Sequence, residues 1–393
     1  MFETLEPKPA DAILKLIGEH QADPRPEKID LGVGVYRDAD GTTPIFRAVK
    51  KAEAWLLEHQ DSKAYIGIRG DLRYCHAIES MVFGDGVERE RLASLQTPGG
   101  SGALRVAAGL ILRARPGARM WVSDPTWNNH VPLLGEAGVE LQAYPYYDTA
   151  ANSLRFDALL ETLGTAPAGD LVLLHGCCHN PTGLDLDGEQ WRAVADLVAE
   201  RELVPFIDMA YQGFANDLDD DALGVRVMSE RVPELIVAHS CSKNFGLYRD
   251  RVGTLTFVAR DAGTAKTVLS QAMNIVRTMY SLPPDHGAAV VAHILNETSL
   301  RDDWLAELAS MRARLQEMRK LLVEALADNA PGHDFSHITR ATGMFCYLGV
   351  TTAQVARLKK EFGVYLVDSG RINVCGITRD NVGYLAESVA AVV

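Results

Sequence analysis

The chain has 393 residues, 47% hydrophobic, 23% charged and 7% aromatic, ordinary globular proportions that exclude a disordered chain and allow a large buried core. Thirty-nine Lys and Arg against 52 Asp and Glu leave a formal net charge of −13, so the surface repels phosphate backbones and anionic headgroups, and neither nucleic acid nor a membrane surface is expected as a partner. If the substrate is an anion, a few inward-pointing Arg or Lys side chains must attract it.

The N-terminal run Met1-Phe2-Glu3-Thr4-Leu5-Glu6 carries acid where a secretory signal needs base, and no apolar core follows it. No segment approaches the roughly 20 apolar residues of a membrane span. A cytoplasmic protein is expected. Six irregularly spaced cysteines (Cys75, Cys177, Cys178, Cys241, Cys346, Cys375) are too few for a disulfide framework in a chain this long, which predicts reduced thiols.

Gly99-Gly100-Ser101-Gly102-Ala103-Leu104-Arg105 reads as a glycine-rich turn opening a helix, where free N–H groups and the helix dipole favour a phosphate. It lacks a clear preceding strand and the acid near 20 residues later that a dinucleotide fold wants. Four short apolar runs follow as buried strands: 119–123, 171–175, 203–207 and 235–239. Between the second and third lies a helix over 189–201, with Trp191, Val194, Leu197 and Val198 at spacings of three and four. This alternation predicts a largely parallel sheet covered on both faces. Ligands then sit beyond the carboxyl ends of the strands, where Asp124, the loop after His175, Asp208 and 240–243 converge.

Trp127, in Asp124-Pro125-Thr126-Trp127-Asn128-Asn129-His130, is suited to stacking on a planar cofactor or to core packing. The run His175-Gly176-Cys177-Cys178-His179 invites a metal reading. Alternating faces along an extended strand and the lack of a second Cys pair argue against it, and no metal is expected. Asp208 ends the run Phe206-Ile207-Asp208, where a carboxylate either pairs with a pyridinium nitrogen or caps a helix. Tyr211, three residues on, could place its phenol near the ring oxygen.

The most informative segment is Ser240-Cys241-Ser242-Lys243-Asn244-Phe245-Gly246-Leu247-Tyr248-Arg249-Asp250-Arg251. A lysine at the end of a buried strand, among hydroxyls and eight residues before an arginine, suits a Schiff-base cofactor with a phosphate tail. The amine condenses with an aldehyde while hydroxyls and guanidinium hold the phosphate. Burial lowers the lysine pKa and makes the neutral nucleophile accessible. Further on, Leu305, Leu308, Met311, Leu315, Met318, Leu322 and Leu326 recur at helical spacing over 304–326, a core helix of roughly 34 Å. Strand-like pieces at 344–350, 364–367 and 371–374 around a helix over 353–362 complete a smaller α/β domain.

Taken together these residues closely resemble the pyridoxal-phosphate-dependent class I aminotransferases, and among them the aspartate and aromatic amino-acid aminotransferases. The resemblance runs from Leu31-Gly32-Val33-Gly34-Val35-Tyr36, through His175 to Gly183 and the lysine segment, to Ser369-Gly370-Arg371-Ile372-Asn373-Val374. It implies an α/β fold of type I, with a large cofactor-binding domain over 44–310 and a small domain built from 1–43 and 311–393. Lys243 is implied as the lysine covalently joined to pyridoxal 5′-phosphate and as the proton shuttle. Asp208 is the partner of the ring nitrogen, and Tyr211 and Asn180 bond the ring oxygen. Gly100, Ser101, Ser240, Ser242 and Arg251 fall at the phosphate positions.

Tyr65 resembles the tyrosine that reaches the phosphate from a neighbouring subunit, which implies a homodimer with shared active sites. Arg371 matches the grip on the substrate α-carboxylate, Gly34 a backbone contact in a closing loop, and Arg277 the arginine that meets a distal carboxylate across the interface. The implied activity is ping-pong transfer of an amino group from an L-amino acid to 2-oxoglutarate, through the pyridoxamine form. Ser101 replaces the usual Thr, and Leu282 replaces the Asn or Ser that commonly follows Ser281. With Met279, Leu282 makes that region more apolar, so aromatic donors are expected beside aspartate, with Arg277 moving aside for their rings. The alternatives are a strict aspartate aminotransferase, a β-lyase or decarboxylase on the same cofactor, and a metal-binding scaffold using His175 to His179.

Overall fold

The computed structural model describes residues 1–7 and 12–393. Its centre is a seven-stranded sheet of β1 (Leu92–Pro98), β2 (Arg119–Asp124), β3 (Glu140–Pro145), β4 (Leu171–His175), β5 (Val204–Met209), β6 (Leu235–Ser240) and β7 (Val252–Val258). Across the sheet the strands lie in the order β1-β7-β6-β5-β4-β2-β3. Only β7 runs antiparallel to its neighbours.

Alternate residues of each strand feed two different cores, because successive side chains point to opposite faces. In β4, Val172 and Leu174 join one apolar cluster while Leu171 and Leu173 join the other. In β6, Leu235 and Val237 face the first, Ile236 and Ala238 the second. The four anticipated strands are present: 171–175 keeps its expected bounds, and the other three are extended by a residue or shifted by one or two at their ends. Three more, β1, β3 and β7, carry no plain apolar signature. β1 and β7 hide theirs in hydroxyl pairs: Ser94 and Thr256 are both buried and their Oγ atoms meet at 2.9 Å.

β1 directly precedes the glycine-rich turn, which corrects the expectation that no strand would do so. The helix opened by that turn is α1 (Gly99–Ala114). Farther along, α2 (Ala262–Met279) packs on α1, and α3 (Thr298–Asn329) runs for 32 residues, longer than the 304–326 pattern implies. Its buried stripe includes Leu300, Trp304, Leu308, Met311, Leu315, Met318 and Leu322. Trp304 stacks on Phe245 at 4.4 Å between ring centroids and donates its indole N–H to the Asn244 carbonyl at 2.6 Å. The long helix thereby clamps the segment just after Lys243. Two small ladders tie the chain's ends: Ile29–Asp30 beside Val364–Tyr365, and Phe345–Tyr347 against Arg371–Asn373.

Candidate active site

Sheet register sets the site. His175 ends β4 directly opposite Asp208 near the end of β5, and Ser240 closes β6 opposite Gly253 of β7. The turn after β6 delivers Ser242 and Lys243 to the same rim. A cavity of about 210 Å³ opens there, walled by Gly34, Gly100, Ser101, Trp127, Asn180, Asp208, Tyr211, Ser240, Ser242, Lys243 and Arg251. The structure thus brings eleven of the anticipated residues together. Asp124 ends its strand on the same side but is exposed and does not line the cavity.

Lys243 is enclosed, its Nζ 4.8 Å from the centroid of the Tyr211 ring. Burial pushes its pKa down to about 8; the Asp208 charge opposes this shift and Arg251 adds to it. On the order of a tenth to a fifth of the amine is therefore neutral near physiological pH, far more than in a solvated lysine, and the neutral form is what a nucleophile requires. Burial alone would raise the Asp208 carboxyl. The hydrogen bond from His130, with His130, His175 and Lys243 close by, outweighs it, leaving the carboxyl below its ordinary value. Asp208 is an anion in the wall of the cavity, and it caps no helix.

Behind Asp208 lies a chain of groups that the sequence did not single out. His130 Nε2 lies 2.9 Å from Asp208 Oδ2, and Thr126 Oγ1 sits 2.8 Å from His130 Nδ1 and 3.2 Å from His175 Nε2. The His175 ring lies 4.1 Å from that of His179, whose Nε2 meets Ser123 Oγ at 3.0 Å and whose face stacks on Tyr146. Burial, helped by neighbouring histidines, drops His175 to about 3 and His179 well below its usual value. Both stay neutral. The only sequence trace of His130 is its place six residues after β2.

Cys177 and Cys178 point elsewhere, to within 4.8 Å of Asp221. That carboxylate already accepts backbone N–H groups from Gly213, Ala215 and Asn216 at 2.7 to 3.0 Å.

At the other end of the cavity the backbone is bare. Gly99 has φ +73°, and a Cβ there would lie 2.4 Å from Arg251 Nη2. One on Gly253 would come within 2.9 Å of the Gly100 nitrogen. The N-cap of α1 is Pro98, which supplies no side-chain cap, so the first N–H groups of the helix stay free for a ligand. Ser240 and Ser242 meet only at 3.1 Å between their own hydroxyls and through one backbone N–H. Free N–H groups, two hydroxyls and a guanidinium around a space no side chain can enter match a phosphate dianion. With Lys243 and Asp208 as its other walls, the cavity suits a phosphorylated pyridine aldehyde.

Arg371, fixed by its ladder with Phe345–Tyr347, is 6% exposed. Its guanidinium lies 4.4 Å over the Phe345 ring and donates to the Gly32 carbonyl at 2.9 Å, but its buried Nε has no partner. Burial lowers its pKa, with the neighbouring Tyr211 and Tyr347 opposing. A buried cation facing no carboxylate among the described residues is a receptor for an anion. Asn373 bonds the carbonyls of Val33 and Val35, holding the Gly34 loop against this arginine. Tyr248, also missed in the sequence, lines the cavity and accepts the Tyr36 N–H at 2.9 Å. Of the three anticipated residues that do not wall the cavity, Arg371 neighbours Tyr211 of its wall, and the other two stand apart from it in the single chain. Tyr65 is 92% exposed, and Arg277 is exposed, contacting Ser281.

The sequence matches the family model for aminotransferase class I and II over residues 26–389. The aspartate aminotransferase of Escherichia coli is 48% identical over 395 residues, covering 100% of both chains. The tyrosine aminotransferase of Rhizobium meliloti is 49% identical over 378 residues, covering 96% of each. Among solved structures, the aromatic-amino-acid aminotransferase of Burkholderia pseudomallei, covalently bound to pyridoxal phosphate, superposes with a TM-score of 0.97. It is 42% identical and covers 100% of this chain and 99% of its own.

Proposed function

The chain belongs to the class I and II aminotransferase family, and on that premise we propose that it moves the amino group of L-aspartate and of L-aromatic amino acids to 2-oxoglutarate. Its cofactor is pyridoxal 5′-phosphate. When bound, that group supplies an electron sink for the pair left on Cα as its proton departs. The observation that carries the reading is the enclosed Lys243 amine, with a pKa near 8, sharing one cavity with the Asp208 anion.

In this reading Lys243 holds the cofactor covalently and, once released, carries the proton at Nζ. Asp208, kept anionic by His130, keeps the ring nitrogen protonated. Tyr211 and Asn180 donate to the ring oxygen, Trp127 covers the ring face, and Gly100, Ser101, Ser240, Ser242 and Arg251 hold the phosphate. Arg371 grips the substrate α-carboxylate and Gly34 closes on it. The exposure of Tyr65 and Arg277 supports their acting in the cavity of a second copy, and hence a homodimer. Leu282 and Met279, near Arg277, support an apolar berth for aromatic rings. Pairing of Ile29–Asp30 with Val364–Tyr365 supports a small domain of 1–43 and 311–393 beside a large one of 44–310. Six unpaired thiols fit a cytoplasmic setting, and among the described residues no helix is long and apolar enough to cross a membrane.

Steady-state kinetics with aspartate and phenylalanine, each against 2-oxoglutarate, test the proposal. Both should turn over. Arg277→Ala should cut kcat/KM for aspartate about 10- to 100-fold, the worth of one charged bidentate contact, with little effect on phenylalanine. Turnover of aspartate alone gives the strict aspartate enzyme, favoured by relatives such as that of E. coli. Release of pyruvate or an amine in place of amino transfer overturns both.

A further inference from the structure

Away from the cofactor cavity, two smaller cavities of about 300 and 170 Å³ adjoin, with Ser80 and Arg89 in the walls of both. Their charges are opposite. The larger is walled by Arg89, Arg301 and His76 with no acid, the smaller by Glu79 and Asp85 beside Arg89. Neither guanidinium meets a carboxylate or a hydrogen-bond acceptor among the described residues. In a chain of net charge −13, two unpaired arginines around one hollow form a local positive field against the general one.

Glu79 is the more demanding observation. It is 4% exposed and its Oε2 is wholly buried with no partner. It also lies near the carboxyl end of the helix Leu72–Phe83, where the backbone dipole adds partial negative charge. A buried carboxylate without a hydrogen bond or counter-ion is costly, and such a group calls for a cation in contact with it.

We propose that these adjoining cavities form a binding site for an α-amino acid zwitterion, its ammonium on Glu79 and its carboxylate on Arg89 and Arg301. A lone anion leaves Glu79 unpaired, and a lone cation leaves the two guanidiniums unpaired. A ligand carrying both charges a few bonds apart satisfies all three. Leu92 walls the acidic cavity and begins β1, which ends at the turn containing Gly100 of the cofactor cavity. The two sites therefore lie at opposite ends of one strand and bind independently of each other's side chains.

Equilibrium dialysis of the holoenzyme with labelled glycine, the smallest such zwitterion, tests this. Glycine should bind, and the binding should weaken at least tenfold in Glu79→Gln and in Arg89→Gln while surviving Arg371→Ala. The Gln for Glu exchange keeps shape and Arg89 is exposed, so a circular dichroism melt should show both variants folded. If either is not, Arg301→Gln, also at the surface, serves in its place. Acetate and methylammonium should each compete at least tenfold less well than glycine. Binding lost in Arg371→Ala but unchanged in Glu79→Gln assigns glycine to the active site and overturns the proposal. So does competition by acetate as strong as glycine's, which marks a simple anion site, and so does no binding at all.

Discussion

Lys243 and Asp208 show how burial acts in opposite directions on two neighbouring groups. Burial disfavours charge on both; it wins at the lysine, which falls to about 8, and loses at the aspartate, which His130 supports. The lysine pKa is depressed, so its neutral fraction grows as pH rises through 8. Uptake of pyridoxal phosphate by the cofactor-free protein should accelerate with a midpoint near pH 8, and a midpoint above 10, the range of a solvated lysine, contradicts the enclosed amine. Replacing His130 by Phe removes the main group holding the Asp208 carboxyl down. Its pKa should rise, so the acid limb of the kcat profile should move to higher pH; an unmoved limb means His130 does not set the charge. At Arg371 the buried, half-partnered guanidinium is a liability to the fold kept for its ligand. Arg371→Met should cut kcat/KM about 10- to 100-fold without lowering the melting temperature of the ligand-free protein. A fall of several degrees shows that Arg371 stabilises the fold.

The rim depends on close contacts between elements. Gly253 of β7 lies under the turn from β1 to α1, and Gly253→Ala should shift that turn at a cost of about 1–3 kcal/mol. Cofactor dissociation followed by absorbance should be faster in this variant; an unchanged rate shows that the turn yields without losing its ligand. The same elements explain what was legible in the sequence. β4, β5 and β6 are continuous apolar runs and read directly, so the residues at their ends, His175, Asp208 and Ser240, fall into place with them. β1 and β7 are buried too, yet Ser94, Gln96, Thr254 and Thr256 make them look polar; the Ser94 and Thr256 hydroxyls pair with each other and the Gln96 amide donates to the Pro284 carbonyl inside the fold. His130 went unnoticed for a related reason. Its partner is 78 positions away, and no local spacing signals a contact made only by the lateral order of β2, β4 and β5.

At the scale of the whole molecule, the single chain builds a nearly complete cavity but leaves Tyr65 and Arg277 outside it. If second copies supply them, mixing two defective chains should restore a site. Hybrids of Lys243→Ala with Arg277→Ala should show aspartate turnover well above that of either parent, because one of the two sites has its lysine from one chain and its arginine from the other. No recovery in verified hybrids places Arg277 outside the shared site. The claim on which the rest stands is that Lys243 is the residue that captures the cofactor. Borohydride reduction of the purified yellow protein, followed by peptide mapping, reads this directly. The account predicts one phosphopyridoxyl group per chain, on the peptide containing Lys243, and none after Lys243→Ala. A label on any other lysine, or an undiminished label in the variant, contradicts it.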